Sequence, residues 1–244
     1  MMTLALTSLL SLSSPAQAEE IDVIALLDKT DDMSRGSSSH AVMVMSVKTE
    51  RYERTVKMET WSQGTEKSLV VILEPQKEKG VATLMVDDNI WNYLPKVDRT
   101  MKVPAAMMSG AWMGSHVTND DLVKGSRMSE DYTFTLDDQP VDGQGRYLIT
   151  LIPKPDAPVV WGKVTVELSP DELPTRMEFF EEDGTLVRVM KYEDVQEIGG
   201  KKMPMVFVVE PADKPGEFTR MEYSELQFDV DIPDSKFSLQ ALKN

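Results

Sequence analysis

The residues of this sequence that could carry metal or acid–base chemistry are few and scattered. The chain has two histidines, His40 and His116. Only His116 has carboxylates close by in sequence, at Asp120 and Asp121. A single histidine beside two carboxylates, without a regularly spaced second histidine, is a weak pattern for a metal site. Solvated polar residues are the simpler interpretation, so we predict no metal site.

Nucleophilic and nucleotide-binding motifs are also missing from the sequence. There is no Gly-x-Ser-x-Gly elbow and no glycine-rich phosphate loop between a strand and a helix. The chain has no cysteine, which removes thiol catalysis and disulfides. We therefore predict no catalytic residues, no cofactor and no enzymatic activity. The alternative within the enzyme class is a metal-dependent hydrolase that uses His116 and Asp120.

One long stretch of the chain is free of charge. Residues 103–119 contain no Asp, Glu, Lys or Arg, although these make up 27% of the sequence. This uncharged segment holds Met107, Met108, Trp112 and Met113. Soft apolar side chains in a connecting segment suggest a surface that fits a variable apolar partner. The other interpretation is a connector packed over the core.

The order of elements predicts a mainly β protein. Residues 19–35 have the periodicity of a helix, and most of the remaining chain consists of alternating runs separated by turns such as residues 87–89 and 182–184. This gives ten or more antiparallel strands, interrupted by the uncharged segment and a short helix capped by Thr118 or Asn119. Strands of about ten residues span ~33 Å and can form a strongly curved sheet. The helix and the uncharged segment would fill its concave side and leave a ligand cavity.

The amino terminus and the charge limit where the protein acts. Residues 1–18 have an apolar stretch followed by Ala16-Gln17-Ala18, the pattern of a secretory signal peptide, although a basic start is missing. Residues 19–244 show no composition shift that would mark a domain boundary, so we expect one domain. We also expect a monomer. The net charge of −15 argues against nucleic acid and anionic lipid headgroups as electrostatic partners.

Several short motifs in order carry a family resemblance. They are Trp91-Asn92-Tyr93-Leu94-Pro95-Lys96 with Arg99, Met113-Gly114-Ser115 before Asp120-Asp121-Leu122, Leu173-Pro174-Thr175-Arg176 with Asp183-Gly184, and Met203-Pro204. Together they resemble the periplasmic outer-membrane lipoprotein-sorting protein family, which is related to the lipoprotein carrier LolA. The resemblance runs from Glu19 to the end of the chain.

This resemblance implies an unclosed antiparallel β-barrel of about eleven strands with lid helices over an apolar cavity for acyl chains. It also implies a periplasmic location, and members of the family often work beside membrane transporters of the resistance-nodulation-division type. Two departures are visible. His116 stands where the family commonly has an acidic residue, and the arginine that holds the lid of the lipoprotein carrier has no counterpart that we can align.

Our leading hypothesis is a periplasmic carrier for the acyl chains of a lipid or lipoprotein, sorted to or from the outer membrane. The chain has 17 methionines, and methionine conforms well to irregular hydrocarbon. The alternative is a non-enzymatic accessory or sensor subunit that docks on a transporter of the resistance-nodulation-division type. The predicted acyl-chain contacts are Met43, Met45, Met58, Trp91, Met107, Met108, Trp112 and Met113.

Overall fold

The structure is a computed structural model that describes residues 21–33, 36–124, 128–141, 143–157 and 159–243. Within these residues, thirteen strands form a single antiparallel sheet. The predicted signal peptide, residues 1–18, lies outside the described residues. The strands are β1 (Ser38–Lys48), β2 (Glu53–Gln63), β3 (Lys67–Glu74), β4 (Ala82–Val86), β5 (Asn89–Leu94), β6 (Arg99–Lys102), β7 (Tyr132–Asp138), β8 (Tyr147–Pro153), β9 (Lys163–Leu168), β10 (Pro174–Phe180), β11 (Leu186–Ile198), β12 (Lys201–Pro211) and β13 (Phe218–Phe228).

The sheet is unclosed, as the resemblance implied. Its order is β6-β5-β4-β3-β2-β1-β13-β12-β11-β10-β9-β8-β7, so the first and last strands of the chain meet in the middle. Strands β6 and β7 are the two free edges, although they follow one another in sequence. The expected count of about eleven strands is too low. Short runs such as Arg99–Lys102 are strands in their own right because they pair in register with a neighbour.

The two faces of the sheet bury different parts of the chain. Alternate residues of β1, from Ala41 to Val47, belong to the main core on the inner face. On the outer face, Phe237 and Leu242 of the carboxyl-terminal segment pack against Leu69 and Leu84. Because the outer face of β3 to β5 has its own cover, only the inner face is left to enclose a cavity.

A single longer helix covers the inner face of the second half of the sheet. Helix α1 (Val23–Asp32) begins after Asp22, whose carboxylate accepts a hydrogen bond from the Ala25 amide at 3.0 Å. Its apolar side packs on β7 to β10, with Leu27 completely buried. The helix lies inside the predicted range of residues 19–35, and residues 19, 20, 34 and 35 are outside the described residues.

The connection between the two free edges crosses the inner face. This cover segment, residues 103–124 and 128–131, contains 3-10 turns at Ala105–Met107 and Trp112–Gly114, then α2 (Asn119–Lys124) and α3 (Met128–Asp131). Of the two predicted caps, Thr118 and Asn119, it is Thr118 that caps α2. The Asp121 amide donates to Thr118 Oγ1 at 3.2 Å, and the Thr118 amide donates to the Asp121 carboxylate at 2.7 Å.

Strand β9 occupies only part of an apolar run of the sequence. The run from Val159 to Leu168 becomes a strand only at Lys163. Gly162 lies so close to the next hairpin that an added Cβ would be 2.4 Å from Glu182 Cα. This close approach requires glycine and turns residues 159–161 out of the sheet, which places Trp161 on the inner side beside Phe179.

Candidate functional site

The inner face of the sheet, α1 and the cover segment enclose a cavity of about 350 Å³. This volume lies at the lower end of the ~300–1,000 Å³ found for sites that bind small organic ligands. The apolar and aromatic residues of its wall include Met33, Met43, Met58, Val70, Trp112, Val117, Met128, Tyr132, Trp161, Val164, Met177, Phe179, Met190, Tyr192, Met203, Phe207, Met221 and Tyr223.

Three of the predicted acyl-chain contacts lie in this wall. Met43 and Met58 are opposite one another on β1 and β2, and both are buried. Trp112 projects from the cover segment, and its indole Nε1 donates to Thr83 Oγ1 at 3.2 Å. The hydrogen bond ties the one polar atom of the Trp112 side chain to the sheet, so the ring can present an apolar surface to the cavity.

The other five predicted residues are not among the wall residues. Met45 is completely buried in the main core, which Met113 packs against, while Met108 packs beside Met85 and Ile90. Trp91 belongs to the outer-face cluster, where Lys102 Nζ lies 5.7 Å from its ring centroid. Met107 is 60% exposed. Lipid contact stays a prediction for all eight residues.

Most of these apolar and aromatic wall residues come from the second half of the chain, which the prediction missed. Met177 and Phe179 alternate on β10, and Met221 and Tyr223 alternate on β13. A period of two in bulky apolar residues was visible in the sequence and could have identified these positions. The contribution of Met128 had no comparable signal, because it depends on how the cover segment crosses the sheet.

A buried ion pair joins the cavity wall to the cover segment. Arg188 on β11 donates to both carboxylate oxygens of Asp121 on α2, at 2.7 and 2.6 Å. The Arg188 side chain is only 5% exposed. Its guanidinium carbon lies 4.6 Å from the Trp161 ring centroid and 4.3 Å from that of Phe179. A bidentate pair packed against two adjacent aromatic rings has little freedom to rearrange, so it fixes the position of α2.

The middle of the cover segment is hydrogen-bonded to the start of β2 and to the residue before it. Met113 and Gly114 both have positive φ, at 50° and 70°, which turns their carbonyl groups toward the sheet. Arg54 donates to the Met113 carbonyl at 2.6 Å, and the Tyr52 hydroxyl donates to the Gly114 carbonyl. The cover segment is therefore held to the sheet at a second place besides the Arg188–Asp121 pair.

His116 makes a third contact between the cover segment and the sheet. Its ring nitrogens face residues other than the two aspartates with which it could have formed a metal site. Its ring nitrogens contact Thr219 Oγ1 at 2.9 Å and Glu217 Oε2 at 3.1 Å, both near the start of β13. The Glu50 amide and His116 hold the pKa of Glu217 below its usual value. Within the described residues, no group of three or more His, Asp or Glu side chains could hold a metal ion.

Two tyrosines report the low polarity of the cavity. Burial, followed by nearby carboxylates such as Asp120 and Asp31, raises the pKa of Tyr132 and Tyr192 far above the usual tyrosine value. The Tyr192 hydroxyl donates to the sulfur of Met177 at 3.1 Å. An environment that disfavours a charged phenolate in this way suits hydrocarbon better than a charged group.

An unclosed antiparallel sheet around an apolar cavity, under short helices, defines a LolA-like protein. A family model described as that of an uncharacterized protein matches residues 64–244. This match covers well over half of the sequence, so the chain belongs to that LolA-like family.

Solved structures share the fold over nearly the whole chain. A domain described as an outer membrane lipoprotein-sorting protein, from Vibrio parahaemolyticus, is 23% identical with a TM-score of 0.77, covering 91% of this chain and 98% of that one. A DUF1329 family protein from Desulfovibrio piger is 22% identical with a TM-score of 0.80, covering 90% and 97%. A LolA superfamily protein from Nitrosomonas europaea is 25% identical with a TM-score of 0.72, covering 89% and 97%.

One comparison found no match, and one structural feature is absent from the described residues. No protein of curated function matches the sequence. In the part of the chain that the structure describes, no helix is both long and apolar enough to cross a membrane.

Proposed function

We propose that this protein is a periplasmic carrier that binds an acyl chain of a lipid or lipoprotein in the inner-face cavity. The observation that carries the proposal is a cavity of about 350 Å³ with a mainly apolar wall that is rich in methionine and aromatic side chains. The volume favours one hydrocarbon tail in this closed form. Burial of each methylene contributes about 0.8 kcal/mol, so a single long tail can be bound tightly by contact with the wall alone.

The chemistry of the wall supports a carrier rather than an enzyme. Methionine side chains adapt to a flexible tail and make soft contacts with it, but they offer no nucleophile and no general base. The charged side chains that line the cavity among the described residues are Asp31, Asp120, Asp121 and Arg188. Since Arg188 and Asp121 are paired with each other, we assign them a structural role.

Release of the tail requires the cover segment to move. The ties at Asp121, His116 and Met113 are hydrogen bonds and ion pairs, which a membrane partner can exchange for its own without disrupting the sheet. The relatives described as a LolA superfamily protein and a lipoprotein-sorting domain support a role in lipoprotein sorting. Such a role also supports export to the periplasm.

A fluorescence titration tests the proposal. A fatty-acyl probe whose emission rises in apolar surroundings is added to protein purified without detergent, and the bound probe is then displaced with unlabelled palmitoyl glycerol. We expect saturable binding of one probe per chain and full displacement. A signal that is not saturable, or that the unlabelled ligand cannot displace, would contradict an acyl-binding cavity.

The second candidate function is docking on a transporter of the resistance-nodulation-division type. Met107 favours it, because this methionine of the cover segment is 60% exposed and lies outside the cavity wall. If docking is the main function, Met107→Glu abolishes capture of an inner-membrane transporter and leaves acyl binding unchanged. If the protein is a carrier alone, the wild-type protein captures no such transporter, and Met107→Glu leaves acyl binding unchanged.

A further inference from the structure

Strand β7 is a free edge of the sheet that the described part of the chain leaves uncovered. It pairs with β8 on one side and with no other described strand. Residues 133–135 are exposed, and 37% of Phe134 is accessible. Strand edges in soluble proteins are usually short, charged or covered, because an uncovered edge pairs readily with another strand. Residues 132–136 contain no charge and no proline.

The hydrogen-bond pattern shows which backbone groups face the open side. The Lys154 amide donates to the Asp131 carbonyl at 2.9 Å, directly before β7. Hydrogen-bonded positions alternate in an antiparallel pair, so Thr133 and Thr135 bond to β8. Tyr132, Phe134 and Leu136 then direct their N–H and C=O groups outward. Pro153, which has no N–H, lies opposite Tyr132 and agrees with this assignment.

The open edge is continuous with the cavity. The Tyr132 side chain is buried and lies in the cavity wall, whereas Leu136 is four residues further along the same strand. At ~3.3 Å per residue, the edge extends about 13 Å away from the cavity. A ligand whose tail lies in the cavity and whose polar end emerges beside Tyr132 would run along this edge.

We propose that β7 binds an extended polypeptide segment as an additional strand, so that the carried ligand is an acylated protein rather than a free lipid. This inference rests on the proposed function, since the cavity must hold the acyl chain. A peptide offers the alternating donors and acceptors that the outward groups of Phe134 and Leu136 need, and a glycerolipid does not. Asp131, Asp137 and Asp138 flank the edge and favour basic residues at the ends of the segment.

Two ligands with the same tail separate the edge from the cavity. One is a palmitoylated peptide of about six β-forming residues with a lysine at each end, the length of an ordinary strand. The other is palmitoyl glycerol. We expect the wild-type protein to bind the acylated peptide at least ~10-fold more tightly, because several backbone hydrogen bonds each contribute to affinity.

Phe134→Pro removes one outward N–H and no bond to β8, and proline is tolerated at such edge positions. We expect it to weaken binding of the acylated peptide by roughly 2- to 10-fold and to leave binding of palmitoyl glycerol unchanged. Phe134→Val is the matched control, since it keeps the N–H, and it should bind the peptide more tightly than Phe134→Pro does.

Hydrogen exchange on the wild-type protein provides a measurement that does not depend on the variants folding. The acylated peptide should slow exchange of the Phe134 and Leu136 amides, and palmitoyl glycerol should not. Equal affinities for the two ligands, or no protection at these amides, would overturn the edge proposal while the cavity stands. If neither ligand binds, both the edge proposal and the proposed carrier function are contradicted. Equally tight binding of the peptide without its acyl group, or pairing of two copies through β7, would show that the edge serves another partner.

Discussion

Arg188 and Asp121 form a bidentate ion pair at 2.6 and 2.7 Å between the wall of the cavity and the helix that covers it. The same Asp121 carboxylate also accepts from the Thr118 amide, so one side chain both caps α2 and anchors it. The guanidinium also packs on Trp161 and Phe179, and Trp112 and Val117 of the cover segment lie in the main core. The cover is therefore held by this ion pair together with apolar packing.

Removing one partner of this pair should destabilise the closed form. Asp121→Asn leaves the Arg188 guanidinium buried without a counter-charge, which typically costs about 3–5 kcal/mol. We expect a loss of about 3 kcal/mol in the free energy of unfolding, measured by urea denaturation, because Asp121 is slightly more exposed than its partner. We also expect faster association of an acyl probe in stopped-flow fluorescence.

The double variant Arg188→Met with Asp121→Leu is the control for this prediction. It removes both charges and fills the space with apolar side chains. We therefore expect a smaller loss in the free energy of unfolding than for Asp121→Asn. If the double variant is the less stable of the two, the cost in the single variant does not arise from an unpaired buried charge.

Filling the cavity should shorten the tail that fits. Met190 lies in the wall, and Met190→Trp introduces a larger side chain there. We expect the preferred acyl length to fall by several methylenes, with a loss of ~0.8 kcal/mol of binding for each methylene excluded. The measurement is a series of fatty-acyl glycerols of increasing length. Met107→Trp, on an exposed methionine, should leave the length preference as in the wild type.

The two tryptophans of the predicted contact set should behave differently. Trp112→Phe removes the indole donor to Thr83 and shrinks the wall, so we expect about 1–2 kcal/mol of lost stability and weaker acyl binding. Trp91→Phe changes the outer face and should leave acyl affinity unchanged. Titration of both variants with the same probe decides this. Equal losses of affinity would place the ligand somewhere other than the inner-face cavity.

The tie between His116 and Glu217 should be sensitive to acid. The pKa of Glu217 in the folded protein is below its unfolded value of 4.5, first because the Glu50 amide donates to it and then because His116 does. The ionised carboxylate therefore stabilises the fold above pH 4.5, and this contribution is lost as the pH falls through the lower, folded pKa.

Glu217→Gln should accordingly flatten the decline of stability below about pH 4.5, measured by thermal unfolding across pH. Glu53→Gln is the control, because the Glu53 side chain is 71% exposed. A variant at Glu217 that keeps the full acid sensitivity of the wild type would exclude this carboxylate as its source.

The strands could be predicted from the sequence because each has a local signal. The alternating runs separated by turn residues predicted ten or more strands, and thirteen form, while the family resemblance gave about eleven. The register of β1 agrees with its alternation, since Ala41, Met43, Met45 and Val47 all belong to the main core on the inner face. The start of β9 has no such local signal, because it depends on the close approach of Gly162 to Glu182, which is distant in sequence.

The cavity was harder to predict than the sheet. Its existence followed from the length of the strands, and Met43, Met58 and Trp112 were found in its wall. Trp91 lies on the outer face because a neighbouring residue, Ile90, takes the inner one. The pairing of Arg188 with Asp121 joins residues 67 positions apart, so nothing in the local sequence of either residue signals it.

Native mass spectrometry is the most direct test of the carrier proposal. The protein is purified without detergent, its mass is recorded, and the spectrum is repeated after incubation with palmitoyl glycerol. We predict either a co-purified acyl ligand or uptake of one added ligand per chain, and uptake should be weaker for Met190→Trp than for Met107→Trp. A spectrum that shows only the bare chain before and after incubation would contradict the account.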